Sequence, residues 1–239
     1  MVGRSGAIAL AVMAKAPVAG EAKTRLGAGI GYPQAATLYR AFVLDTLAAV
    51  GEAAARRPTA RRLIVCPDER HRALLGPLAG AEWTIVAQRR RGLMGGIADA
   101  FARGFAEGAR AVVVVDADSP LALDEHLERC VELLAAHDVV LGPTADGGYY
   151  LIGARSRAAE SIADLLLGTA YDSATICTAT ADRARALGHV VGFGPTGFDV
   201  DTSADLDALE TILDIRDCSA LRHTREALGI LGQTPVATV

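Results

Sequence analysis

The chain has 239 residues, is 51% hydrophobic but only 5% aromatic, and carries a formal net charge of −4, so it can bury one substantial core packed from small aliphatic side chains. The negative balance, with a pI near 5.7, argues against non-specific nucleic-acid binding and against attraction to anionic membranes. No apolar stretch reaches the ~18 residues of a membrane-spanning helix. The cysteines at 66, 130, 177 and 218 lack metal-binding spacing, so buried free thiols in a reducing cytoplasm are expected.

Arg4 followed by Ala7-Ile-Ala-Leu-Ala-Val-Met-Ala14 imitates a short signal peptide, but its apolar core is brief, and a buried first strand over about 7–14 is the preferred reading. The strand breaks into Lys15-Ala-Pro-Val-Ala-Gly20-Glu-Ala-Lys23-Thr-Arg25, a loop of small residues with three cations. It lacks the glycines of a phosphate-binding P-loop and has no GxGxxG. Small residues let backbone approach a ligand, and Lys15, Lys23 and Arg25 suit a polyphosphate. The alternative is a solvated loop. Pro33 opens a long helix to about 57, residues 61–67 hold a strand, Asp68 caps a helix to about 78, and residues 82–88 alternate as a third strand.

Arg89-Arg-Arg91 reads as a solvated charge run or a phosphate contact, and a helix follows over about 97–107. The run Ala111-Val-Val-Val-Val115 is β-branched and unbroken, as expected of a strand buried on both faces of a parallel sheet. It ends in Asp116-Ala-Asp118-Ser-Pro120. Strand ends line the ligand crevice of open α/β sheets, and paired carboxylates there suit a hard cation such as Mg²⁺ held together with phosphate. Capping of the next helix, about 121–136, by Asp118 or Ser119 is the alternative. A strand over 139–142 leads to Asp146-Gly147-Gly148. The strand at 149–153 follows too soon for a parallel crossover and should be antiparallel.

Helices at about 158–167 and 173–187 precede a strand at 189–193. If that strand lies beside 111–115, the acids of Asp199-Val-Asp201-Thr202 can face Asp118. Thr202-Ser-Ala-Asp205 is a capping-box-like start for a helix to about 216, a last helix spans about 221–231, and the tail after Gly232 reads as loose. Alternating strands and helices predict one α/β domain over residues 1–239, with C-terminal helices about 203–231.

Four segments together carry a resemblance: residues 15–26, Asp118-Ser-Pro120, Leu141-Gly-Pro-Thr-Ala-Asp-Gly-Gly-Tyr-Tyr-Leu-Ile-Gly153 and Asp199-Val-Asp-Thr202. The chain resembles the DUF2064 family of GT-A-type nucleotide-diphospho-sugar transferases and, more distantly, the 2-phospho-lactate and molybdenum cofactor guanylyltransferases. The resemblance implies a Rossmann-like GT-A fold, mostly parallel with at least one antiparallel strand. It implies a nucleotide, NTP or NDP-sugar, with phosphate contacts from Lys23 and Arg25, to which the reading of the loop adds Lys15 and Gly20. A metal, Mg²⁺ or else Mn²⁺, would sit at Asp118 with Asp199 and Asp201 as partners, and a small-molecule acceptor near Asp146, Gly147, Gly148 and Tyr149. Two departures stand out: the family commonly has a small residue in place of Asp116, and its Trp-Ser-Thr appears here as Tyr171-Asp-Ser173. The expected reaction is nucleotidyl transfer to a phosphorylated small molecule, with Lys23, Arg25 and Asp118 catalytic. Glycosyl transfer and a non-catalytic nucleotide-binding regulator are the alternatives. No nucleic-acid partner and no membrane insertion are expected, and a homodimer is allowed.

Overall fold

The structure, a computed structural model, describes residues 7–120, 125–170, 172, 174–215, 218 and 220–232. The expected helix start at 121, the Tyr171 and Ser173 positions, and the tail after Gly232 lie outside the described residues.

Seven strands form one sheet: β1 (Ile8–Met13), β2 (Arg61–Cys66), β3 (Thr84–Ala87), β4 (Ala111–Asp116), β5 (Val139–Pro143), β6 (Tyr149–Arg155) and β7 (Val191–Phe193), in the order β3-β2-β1-β4-β6-β5-β7. All run parallel except β6, which pairs antiparallel with both β4 and β5, as the short connection requires. Six strands therefore end, and β6 begins, at one edge. β1, and β4 up to Val115, are apolar because each has strands on both sides and helices on both faces; β4 ends in Asp116. Their side chains alternate. Leu10, Val12, Val113 and Val115 enter one core with α2 (Tyr32–Ala55) and α8 (Ser203–Ile215). Ala9, Ala11, Val112 and Val114 enter the other with α4 (Gly92–Ala106), α6 (Ile162–Leu167) and α7 (Ile176–Ala186).

Several local signals are realised. Asp68 accepts a 2.9 Å bond from the His71 amide at the start of α3 (Glu69–Ala79). Other features come from packing. A short helix, α1 (Thr24–Ile30), forms where the sequence reads as loop. Its glycines disfavour helix, but buried Leu26 anchors it beside α2 and α8. α4 begins five residues before its expected start and lies close on the sheet: a Cβ at Gly104 would come within 2.6 Å of Val112 Cγ2 and 3.1 Å of Ala9 Cβ. Asp45, buried within α2, caps α9 (Arg222–Gly232) from a distance. It accepts bonds from the amides of His223 (3.0 Å) and Thr224 (2.8 Å) and from the Thr224 hydroxyl (2.7 Å). α5 (Glu125–Leu133) is clamped to the end of α2 by Glu128, which pairs with Arg56 and Arg57.

One conditional expectation is corrected. The strand after residue 189 does not lie beside β4. β7 is the outermost strand, next to β5, with β6 and β5 between it and β4. No described helix is long and apolar enough to cross a membrane. All four cysteines are free thiols, three buried and Cys218 half-buried.

Candidate active site

The loop after β1 is fastened from below. The Lys15 amide donates a 3.0 Å bond to the buried Tyr39 hydroxyl of α2, and Ala16 and Ala22 are buried. Lys23 then takes φ 50°, ψ 48°, the left-handed region, and is the one non-glycine residue with positive φ among the described residues. Such a conformation is tolerated only when the surroundings compensate about 1–3 kcal/mol of strain. The compensation is visible. The Lys23 side chain is 3% exposed, and Nζ stands 3.1 Å from Asp118 Oδ1 and 2.9 Å from Asp201 Oδ1. Arg25, 71% exposed, reaches Asp201 Oδ2 at 2.5 Å.

The acids arrive by two routes. β4 delivers Asp116, whose Oδ1 accepts the Asp118 amide at 3.1 Å. Asp199 and Asp201 come from the sheet edge, because residues 194–201 run back along the strand ends from β7 to β4. Gly197 N–H bonds to the Pro143 carbonyl (2.7 Å) and Val200 N–H to the Asp118 carbonyl (3.1 Å) on the way. Ser119 donates its hydroxyl to Asp199. Asp205 Oδ2 accepts the amides of Asp201 (3.0 Å) and Thr202 (2.8 Å), which completes the expected capping box and fixes the Asp201 backbone.

These carboxylates outnumber their cations. Burial, then Asp199 and Asp118, push Asp116 well above the ordinary carboxylate range. Burial lifts Asp199 to about 6 against the Ser119 hydrogen bond. Burial opposes the charge on Lys23, but Asp118 and Asp201 outweigh it and hold the ammonium above its usual value. A cavity of about 630 Å³ opens above this cluster, a volume typical of ligand sites. Pro67 and Gln88 line the β2–β3 side, Asp116 and Asp118 the middle, and Asp146 and Tyr149 the β5–β6 side, where the Tyr149 hydroxyl donates to Met94 Sδ at 3.4 Å.

Of the residues singled out in the sequence, the cavity gathers Lys15, Lys23, Arg25, Asp118, Asp146, Gly148, Tyr149, Asp199 and Asp201. Gly20 and Gly147 are not in its lining. Gly20 is on an exposed turn, and Gly147, at φ 96°, packs against Ala174. Asp146 Oδ1 secures its own turn, accepting from the Thr144 hydroxyl (2.5 Å) and the Gly148 amide (3.1 Å). The arginine run stays outside the cavity. The amides of Arg89 and Arg90 and the Arg90 guanidinium bind Asp99 of α4. Tyr39, Gln88 and Met94 line the cavity without having been marked as site residues. Asp116 is more central than its departure from the family pattern suggested. Among the described residues no three Asp, Glu, His or Cys side chains stand arranged to hold a metal, and Lys23 Nζ pairs with both Asp118 and Asp201.

The family described as "uncharacterized protein conserved in bacteria (DUF2064)" matches residues 46–171, just over half of the chain. The chain belongs to this family. Among solved structures, this DUF2064 chain is similar to a Desulfovibrio desulfuricans G20 protein provisionally named a nucleotide-diphospho-sugar transferase. The two share 29% identity over 95% of this chain and 97% of that one, with a TM-score of 0.80. It is also similar to a cytidylyltransferase from Leptospira borgpetersenii serovar Hardjo-bovis (12% identity, 98% of each chain, TM-score 0.54). A third likeness is to molybdopterin-guanine dinucleotide biosynthesis protein A from Archaeoglobus fulgidus (18% identity, 87% of this chain and all of that one, TM-score 0.51). The last two show a shared fold. No curated protein matches the chain.

Proposed function

We propose that this DUF2064 protein is a metal-dependent nucleotidyltransferase that joins an NTP to a phosphorylated small molecule and releases pyrophosphate. The observation that carries the reading is the meeting, over the ends of β1 and β4, of a three-cation loop with four carboxylates. Lys15, Lys23 and Arg25 would contact phosphates from the loop, with Gly20 shaping its outer turn. Arg25, exposed and forked, can hold a phosphate bidentately. Three cations suit three phosphates better than the two of an NDP-sugar. No protein nucleophile is required, because positioning and charge stabilisation can carry phosphoryl transfer.

By donor type the acids suit a hard divalent cation, although among the described residues no three of them stand in a metal-holding arrangement. They supply oxygen donors only, and burial first, with the neighbouring carboxylates after it, pushes Asp116 and Asp199 upward, an effect a bound cation would oppose. Asp118, Asp199 and Asp201 would hold Mg²⁺ or Mn²⁺, which when bound would neutralise charge on phosphate oxygens. The Asp146–Tyr149 side, with Gly147 and Gly148 setting its turn, would receive the acceptor. Its described lining contains no Lys or Arg, so the acceptor's phosphate would lean toward Arg25 or Lys15. In this reading the chain is one domain working in the cytoplasm.

A second reading, sugar transfer from an NDP-sugar, is favoured by the name of the Desulfovibrio relative. The deciding experiment follows pyrophosphate and sugar transfer across panels of NTPs, NDP-sugars and phosphorylated acceptors. Pyrophosphate should appear only with NTP, Mg²⁺ and acceptor together. Asp118→Asn should abolish it while leaving the fold intact. Arg25→Ala should lower kcat/KM about 10- to 100-fold, since a charge-assisted contact contributes roughly 1.5–3 kcal/mol. Sugar transfer with no pyrophosphate from any NTP would overturn the nucleotidyl reading.

A further inference from the structure

Lys23 combines features that a phosphate-binding lysine alone does not need. Its backbone is held in the left-handed region and its side chain is 3% exposed, whereas Arg25, on the same loop, is 71% exposed. Its ammonium is drawn inward to Asp118 and Asp201, which are 42% and 33% exposed at the cavity. These two acids come from separate segments, Asp118 just after β4 and Asp201 just before α8. Nζ takes one oxygen of each. A divalent cation needs the same oxygens at about 2.0–2.1 Å, and two cations sharing them would repel each other.

We propose that Lys23 is the internal counter-cation of the Asp118–Asp201 pair. It keeps divalent metal out of the nucleotide-free protein and moves onto phosphate when nucleotide arrives, so that metal and nucleotide bind cooperatively. The proposal rests on the assignment of Asp118 and Asp201 as metal ligands. A lysine side chain has four rotatable carbons and can swing its ammonium from carboxylate to phosphate with no change at the backbone. Arg25 would keep Asp201 Oδ2 paired meanwhile. By linkage, nucleotide must raise metal affinity by the same factor by which metal raises nucleotide affinity.

The test is a titration of Mn²⁺ alone into the nucleotide-free full chain, read by the electron paramagnetic resonance of free Mn²⁺. The parent, Lys23→Met and Lys23→Arg are compared, with circular dichroism confirming the fold of each. Lys23→Met should bind Mn²⁺ at least about tenfold more tightly than the parent, a difference of ~1.4 kcal/mol, and Lys23→Arg should bind as weakly as the parent. Should Lys23→Met fail to fold, the neutral Lys23→Gln replaces it with the same expectation. Equal affinity in the parent and the neutral variant would overturn the counter-cation role and leave the metal assignment standing. No Mn²⁺ bound by the neutral variant would overturn both.

Discussion

Asp205 offers a perturbation whose size follows from the structure. Its Oδ2 accepts three hydrogen bonds at once, from the Asp201 amide (3.0 Å), the Thr202 amide (2.8 Å) and the Thr202 hydroxyl (2.8 Å). Asp205→Ala removes all three and opens the first turn of α8. Each bond to a charged acceptor contributes roughly 1.5–3 kcal/mol when nothing replaces it. The site is half-buried, so water can take over in part, and measured losses of helix N-caps lie at about 0.5–2 kcal/mol. The expected loss is therefore about 1–2 kcal/mol in urea unfolding at pH 7, or about 2–8 °C in Tm for a chain of this size. pH supplies a second check. Partial burial pulls the Asp205 pKa upward, but the Thr202 hydroxyl and the amides of Asp201 and Thr202 win and hold it below the usual carboxylate range. A depressed folded pKa contributes stability that is fully present above about pH 3.9, the ordinary value for Asp, and is lost as pH falls through the folded value. The gap between parent and variant should then narrow in acid. Nucleotide affinity should fall as well, because the Asp201 backbone loses its anchor. A gap that stays constant below pH 3, or a destabilised variant with full nucleotide affinity, would refute the reasoning.

Two further outcomes are expected. Gly147→Ala should lower stability by about 1–3 kcal/mol in thermal unfolding, since φ is 96° and the new Cβ would meet the Ala174 carbonyl oxygen at 2.0 Å. An unchanged Tm would show that the turn yields without strain. Glu128, drawn down to about 2 chiefly by its hydrogen bond to Arg57, against burial and with help from Arg56, should stabilise the protein above about pH 4.5 and progressively less toward pH 2. Glu128→Gln should cost on the order of 1 kcal/mol at pH 7, and an acid titration that leaves this difference unchanged would contradict the pairing.

What the sequence disclosed was local or periodic. The valine run placed β4, the short gap after residue 142 reversed β6, and Asp68 and the Thr202–Asp205 pair marked helix starts that the structure shows. What it hid depends on partners far along the chain. Lys23 and Asp201 are 178 positions apart, and nothing in either residue's neighbourhood announces an ion pair. Asp45 looks like a charge misplaced on the buried side of a long helix until α9 supplies amides for it to cap. β7 reads as a strand equally well beside β4 or at the rim. Only the sheet order shows that the acids following it must travel back along the strand ends to reach Asp118.

The close seating of α4 at Gly104 has a consequence at the helix's other end. Gly92, Leu93 and Met94 form the first turn of α4 and a wall of the cavity, while Asp99 ties the preceding arginine loop to the same helix. From Leu93 to Gly104 the helix rises about 16 Å, at ~1.5 Å per residue. A single methyl group added at Gly104 would meet Val112 and Ala9, so Val112 or the rear of α4 would have to shift, while Ile97 and Phe101 remain buried between that end and the front. One wall of the cavity is thus seated from a position outside its lining.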